Sequence, residues 1–100
     1  MKRDSTLSTI GLAMKAGKVV SGEFMTESAV KSQEAYLVII AQDVSDNTRK
    51  KFRNMCAYYK VPLREYSTKD ELGHSLGKEF RASLAVTDKG FAQTILKKMD

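Results

Sequence analysis

Helix and strand patterns alternate along this chain and predict an α/β fold: a three-layer α-β-α sandwich around a central, mostly parallel or mixed four-stranded sheet. The clearest signal is Leu37-Val-Ile-Ile-Ala-Gln-Asp-Val44, an apolar run that stops at a polar pair. Such a run is the pattern of a strand buried on both faces. Around it, short β-favouring runs are separated by segments with helical apolar spacing. Strands joined through helices imply right-handed crossovers, which lay helices over both faces of a sheet.

Asp4 or Ser5 can cap a first helix whose Leu7, Ile10 and Met14 share one face, and Gly17 ends it. Lys18-Val19-Val20 is a short strand. Ser21 is the expected N-cap of a second helix, Gly22 to about Ser32, with Met25, Ala29 and Val30 inward. The strand from Tyr36 to Ala41 follows. Ser45 and Asp46 offer caps for a long helix, Thr48 to Tyr59, with Phe52, Met55, Cys56 and Tyr59 at core spacing. Pro62 blocks further helix, so Leu63 to Tyr66 becomes a strand. Thr68 and Glu71 have capping-box spacing and open a short helix carrying Leu72 and Leu76. Ser83 to Thr87 is the last strand, and Asp88 starts a final helix with Phe91, Ile95 and Met99 along one stripe.

The 100 residues make one domain, 1–100, with 42% hydrophobic content and a modest core. No apolar stretch approaches the roughly 20 residues that span a bilayer. The start, Met1-Lys2-Arg3-Asp4-Ser5, is charged with no apolar signal core behind it. One cysteine, Cys56, excludes an internal disulfide and fits a reducing compartment, so the expected location is cytoplasmic. With His74 as the one histidine, no zinc site of the usual ligand count forms, and neither metal nor cofactor is expected. A formal charge of +5 favours anionic partners, RNA or DNA before membrane.

Several motifs invite chemistry and lose to simpler readings. Gly73-His-Ser-Leu-Gly77-Lys78 has three residues between its glycines where a Walker loop needs four, and Glu79 follows the lysine. Helix packing and termination account for both glycines better. Cys56 lies on an apolar helical stripe, and nothing brings it to His74, so a core cysteine and a surface histidine are expected. The carboxylates show no acid–base pairing. Asp43 stands out at a strand's carboxyl end, where α/β sheets place their sites, or where it would simply hold a turn. Segment 46–64 holds Arg49, Lys50, Lys51, Arg53, Lys60 and Arg64 against Asp46, a charge of +5. On the helix, Arg49, Arg53 and Lys60 form either a solvated face or a phosphate-tracking stripe.

A more specific candidate is the turn into the second helix. Lys18 precedes it, and Ser21, Gly22 and Glu23 offer backbone N–H groups at a positive dipole end. Gly22 allows close approach, and Phe24, off the core stripe, is either packed at the helix entry or exposed to stack on a base.

The segments Leu37 to Val44, Cys56, Val61-Pro62, Leu72-Gly73 with Gly77, and Leu84-Ala-Val86 follow one pattern, in order and spacing. The pattern resembles the kink-turn-binding ribosomal proteins, the superfamily named from the large-subunit proteins "L-seven-Ae" and "L-thirty-e". Gly11-Leu-Ala-Met-Lys-Ala-Gly17-Lys18 and Gly90-Phe91-Ala92 are most similar to its bacterial YlxQ-like branch. The resemblance covers about residues 7 to 97. It implies the same sandwich, and RNA binding without catalysis through the start of the second helix and neighbouring loops.

In that family the helix opens Gly-x-Asn-Glu-x-x-Lys, whose polar groups address tandem sheared G·A pairs. Here Gly22 matches, while Phe24, Met25 and Ser28 stand at the three polar positions. Gln42 stands at the family's acidic strand-end residue, with Asp43 retained. Glu23 and backbone groups are left to read the kink. The implied RNA contacts are Lys18, Ser21, Gly22, Glu23, Phe24, Gln42 and Asp43, with Lys78, Arg81 and Ala82 from the loop before the last strand. The implied partners are rRNA or another structured RNA, and the ribosome. A rival expectation is a protein-interaction module on the same fold, using Phe24, Met25 and Tyr36.

Overall fold

The computed structural model describes residues 4–100, so the charged start at Met1, Lys2 and Arg3 lies outside it. The elements are α1 (Ser5–Lys15), β1 (Val19–Ser21), α2 (Glu23–Lys31), β2 (Leu37–Ile40), α3 (Asp46–Tyr59), β3 (Leu63–Glu65), α4 (Lys69–Ser75), β4 (Ser83–Val86) and α5 (Lys89–Met99). This is the alternating order expected from the sequence.

Side-chain caps start four of the helices. Asp4, Ser45, Thr68 and Asp88 accept from the N–H groups of Leu7, Thr48, Glu71 and Phe91. The cap at Ser45 starts α3 two residues before the expected Thr48. Helix α2 departs from the pattern. Ser21, expected as its cap, is the last residue of β1, and the cap position is Gly22 at φ 91°, with no side chain to offer.

The sheet runs β1-β4-β2-β3. Only β2 and β3 pair in parallel, and β4 is antiparallel to both β1 and β2. The sheet is thus mixed, with less parallel pairing than an all-crossover reading suggests. After β3 the chain returns through α4 to the middle of the sheet and runs the other way. Hydrophobic periodicity carries no information on strand direction. The β1-α2-β2 and β2-α3-β3 units advance the same way across the sheet, so right-handed crossovers put α2 and α3 on one face. Accordingly α2 packs on α3, while α1 packs on α4 and α5 on the other face.

The inner strands β2 and β4 are buried at every residue, as their apolar runs require. Phe52, Ile10, Leu72 and Ile95 close over them from the helices, all fully buried. The helical stripes are turned slightly from expectation. Thr6, Ile10 and Ala13 are the innermost residues of α1, with Leu7 and Met14 at its flanks. In α2 they are Thr26, Ala29 and Val30, and Met25 points outward. In both helices the buried face is offset from the apolar stripe by about one position, so a threonine, Thr6 or Thr26, is buried where the apolar Leu7 or Met25 was expected. Among the described residues no helix is long and apolar enough to cross a membrane.

Candidate nucleic-acid interface

Strand register decides which sequence-predicted residues meet. Ser21 pairs with Leu84, and Ile40 pairs with both Ser83 and Glu65. The carboxyl ends of β1, β2 and β3 therefore share one sheet edge with the start of β4. That edge gathers Ser21 to Phe24, Gln42 and Asp43, and the loop that ends at Arg81 and Ala82.

Two segments expected to act together are bonded there. Arg81 Nε donates to Ser21 Oγ at 3.0 Å, and its Nη1 donates to the Phe80 carbonyl at 2.8 Å. The Arg81 backbone N–H donates to the Lys69 carbonyl at 3.0 Å, tying the loop to the start of α4. The guanidinium is held in place with Nη2 unengaged among the described residues. Gly73 lets the loop lie on α4: a Cβ there would stand 2.3 Å from the Cα of Phe80. Gly77 turns the chain at φ 74°. Lys78 is exposed, and its backbone N–H donates to the Gly73 carbonyl.

At the entry of α2 the Gly22 N–H is already used, donating to the Ser83 carbonyl at 2.9 Å. It is not one of the free donors expected at this turn. With no side-chain cap, the N–H groups of Glu23, Phe24 and Met25 form the open first turn. The Glu23 carboxylate accepts from Lys51 Nζ of α3 at 2.8 Å, which turns it away from a free reading role. Phe24 is 80% exposed.

Phe80, which sequence reasoning passed over, is 56% exposed and belongs to the same edge. An aromatic residue next to the already suspected Arg81 was the available signal.

Gln42 is exposed, and its backbone is fixed on both sides: the N–H donates to the Ser67 carbonyl, and its carbonyl accepts from Arg49. Asp43 has a structural role, accepting the Lys69 N–H at 2.9 Å and so capping the approach to α4. The Ala82 carbonyl accepts from Ala41 N–H. Lys18 does not join this group. It precedes β1 at the opposite end, where its carbonyl accepts from Thr87 N–H. Tyr36, before β2, lies at that far end too, bonded to the Val86 carbonyl, so it cannot form one apolar patch with Phe24 and Met25.

The sequence model of the ribosomal protein L7Ae/L30e/S12e/Gadd45 family matches residues 4–96. The chain belongs to that family. It is 44% identical over 91 residues to the RNA-binding protein YlxQ of Bacillus subtilis (strain 168), covering 91% of each chain. It is 37% identical over 91 residues to the RNA-binding protein YlxQ of Enterococcus faecium, covering 91% of this chain and 87% of that one. A solved Bacillus halodurans protein of unknown function superposes with a TM-score of 0.94 at 31% identity, covering 98% of this chain and 99% of that one. The L7Ae-type match spans both faces of the sandwich and every segment of the sheet edge.

Four of the six cations in the basic run of this family member are ion-paired within the fold, among them Arg64 with Asp100 at 3.6 Å. Arg49 bridges Glu65 and Asp46, Arg53 also binds Glu65, and Lys51 binds Glu23 and Glu27. Lys31 and Lys51 hold the Glu27 carboxyl down to about 2. The Arg49–Arg53 face is thus an ion-pair network joining α3 to β3, neither a bare solvated face nor an open phosphate stripe. Cys56 is buried in α3, and burial pushes its thiol up to about 11. His74 is exposed on α4, across the sheet, so the two form no pair.

Proposed function

We propose that the chain, 1–100, is a single non-enzymatic RNA-binding domain of the cytoplasm, holding a structured, kink-turn-like RNA in a ribosomal or related particle. The observation that carries this reading is the Ser21–Arg81 bond, which joins the two family-matched contact segments beside the uncapped start of α2. Arg81 and Lys78 supply charge for phosphates. The open N–H groups of Glu23, Phe24 and Met25 meet base edges or phosphate at the positive end of the helix dipole. Phe24 and Phe80 offer two rings on which splayed bases stack. Backbone donors thereby stand in for the family's missing polar side chains, and Glu23 serves to hold α2 on α3.

The deciding experiment titrates the protein into a kink-turn RNA and a matched duplex lacking the G·A pairs, each at two salt concentrations. Preference for the kink that persists at the higher salt is expected. Equal, salt-sensitive binding would remove kink reading and leave a general RNA binder. No binding to either would put the protein-interaction reading first. Within the same assay Arg81→Glu should weaken binding about tenfold or more. Lys18→Glu, at the far end of β1, should change it less than about twofold. Equal losses would mean that the RNA covers both ends of the sheet.

A further inference from the structure

We propose that the groove between α1 and α4 docks a basic, amphipathic segment of a second protein. This groove, of about 1100 Å³, lies on the opposite helical layer from α2 and takes no part in the RNA reading. It forms where α1 crosses α4 closely. A Cβ at Gly11 would stand 2.9 Å from the Ser75 carbonyl, so the helices meet there and splay beside it. Leu12, 59% exposed, offers an apolar side chain to anything lying in the groove.

The charge around that leucine identifies the occupant. Asp4, Asp70, Glu71 and Glu79 line the groove, with Lys15 and His74 as its basic residues. Elsewhere among the described residues Glu23, Glu27, Asp46, Glu65 and Asp100 are ion-paired, while Glu34, Asp43 and Asp88 stand singly and apart from any apolar groove. Among the described residues none of the four groove carboxylates has a lysine or arginine partner; Asp4 accepts from Tyr66 and the Leu7 N–H, and Glu71 from Ser67 and Thr68, while Asp70 and Glu79 are the exposed pair. They do not converge as a metal site either, since no group of three potential ligands comes together among the described residues. Carboxylates spread around an apolar centre suit several separate cations, each with its own anion, and one apolar anchor between them. RNA is repelled by the same rim. On a chain of net charge +5 this is a local reversal of sign.

The groove and the RNA edge meet without overlapping. Gly77 and Glu79 line the groove, whereas Arg81 at the end of the same loop belongs to the edge. A protein seated on α1 and α4 would lie beside bound RNA without competing for it.

The test uses the RNA-free protein and a fluorescein-labelled lysine/leucine amphipathic peptide, with its glutamate-for-lysine counterpart as control, read by anisotropy. Saturable binding of the basic peptide alone is expected. The exposed pair Asp70→Lys with Glu79→Lys should weaken it about tenfold or more. Leu12→Ser should weaken it severalfold. Leu12→Ser should keep the wild-type melting temperature and RNA affinity, and the charge-reversed pair should stay folded and bind RNA at least as tightly as wild type. Equal binding of the acidic peptide, or indifference to the charge reversal, would overturn the proposal. Indifference to Leu12→Ser would reduce the groove to a plain acidic patch and overturn it too. Weakened RNA binding in Leu12→Ser would give the groove to RNA and overturn the proposal. Self-association of the wild type that the charge-reversed pair abolishes would give the groove to a second copy of the chain.

Discussion

Gly73 sits in a helix where alanine would ordinarily be favoured, yet its missing Cβ is what lets the 77–81 loop rest on α4. The nearest atoms to an added Cβ are backbone atoms of Phe80, at 2.3 to 2.7 Å, which cannot rotate away. Gly73→Ala should therefore cost about 3 kcal/mol by overpacking, measured by urea unfolding. Because Phe80 and Arg81 must move with that backbone, RNA affinity should fall as well. A destabilised variant that binds RNA as tightly as wild type would detach this loop from the interface. At this scale the sequence was only partly readable. The two glycines were legible as packing and turn residues, because a Walker loop demands a spacing they lack. The role of Asp43 was legible only as an alternative, since its partner, the Lys69 N–H, is 26 residues away.

Between elements, the ion-pair network gives the molecule an acid limit. Lys31 and Lys51 depress Glu27, and Arg49 with Arg53 depresses Glu65, below the ordinary carboxylate range. A carboxyl whose folded pKa is lowered contributes stability above its unfolded value, near 4.5, and loses it as pH falls toward the folded value, about 2 for Glu27. Thermal melts should thus drop between these limits, and the drop should be smaller in Glu27→Gln. The difference should amount to at most about 1 kcal/mol, since the pairs are near the surface. A variant whose melting temperature tracks wild type throughout that window would show that these bridges add nothing. The network also marks what element-level reading cannot see. Caps at Asp4, Thr68 and Asp88 are local in sequence and were legible. Apart from Asp46, one turn from Arg49 on α3, the partners that neutralise Arg49, Lys51 and Arg53 lie 12 to 28 residues away on other elements. A run of six cations therefore read as a face open to solvent or phosphate.

For the whole molecule, the insertion of β4 between β1 and β2 builds the interface. It brings Arg81 to Ser21, sixty residues apart, and leaves Lys18 at the other end of the same short strand. Apolar runs foretold four strands but neither their order nor their directions, and the grouping of Lys18 with Ser21 to Glu23 left out the length of β1 that separates them. The same architecture separates total charge from usable charge. Although the chain carries +5, much of its basic run is spent within the fold, and the proposed RNA contact rests on two cations, Lys78 and Arg81. Two phosphate contacts predict a slope of log affinity against log salt of about −1.4 to −1.8. Engagement of the six cations of residues 46–64 would instead give about −4 to −5. The double variant Arg49→Ala with Arg53→Ala should leave the measured slope unchanged while lowering the melting temperature, because both guanidiniums are bound to Glu65 and lie outside the proposed contact. A steep slope that flattens in the double variant would mean that RNA opens the network. The bridges to Glu65 would then be exchanged for phosphates on binding, and the second face of the sandwich would join the interface.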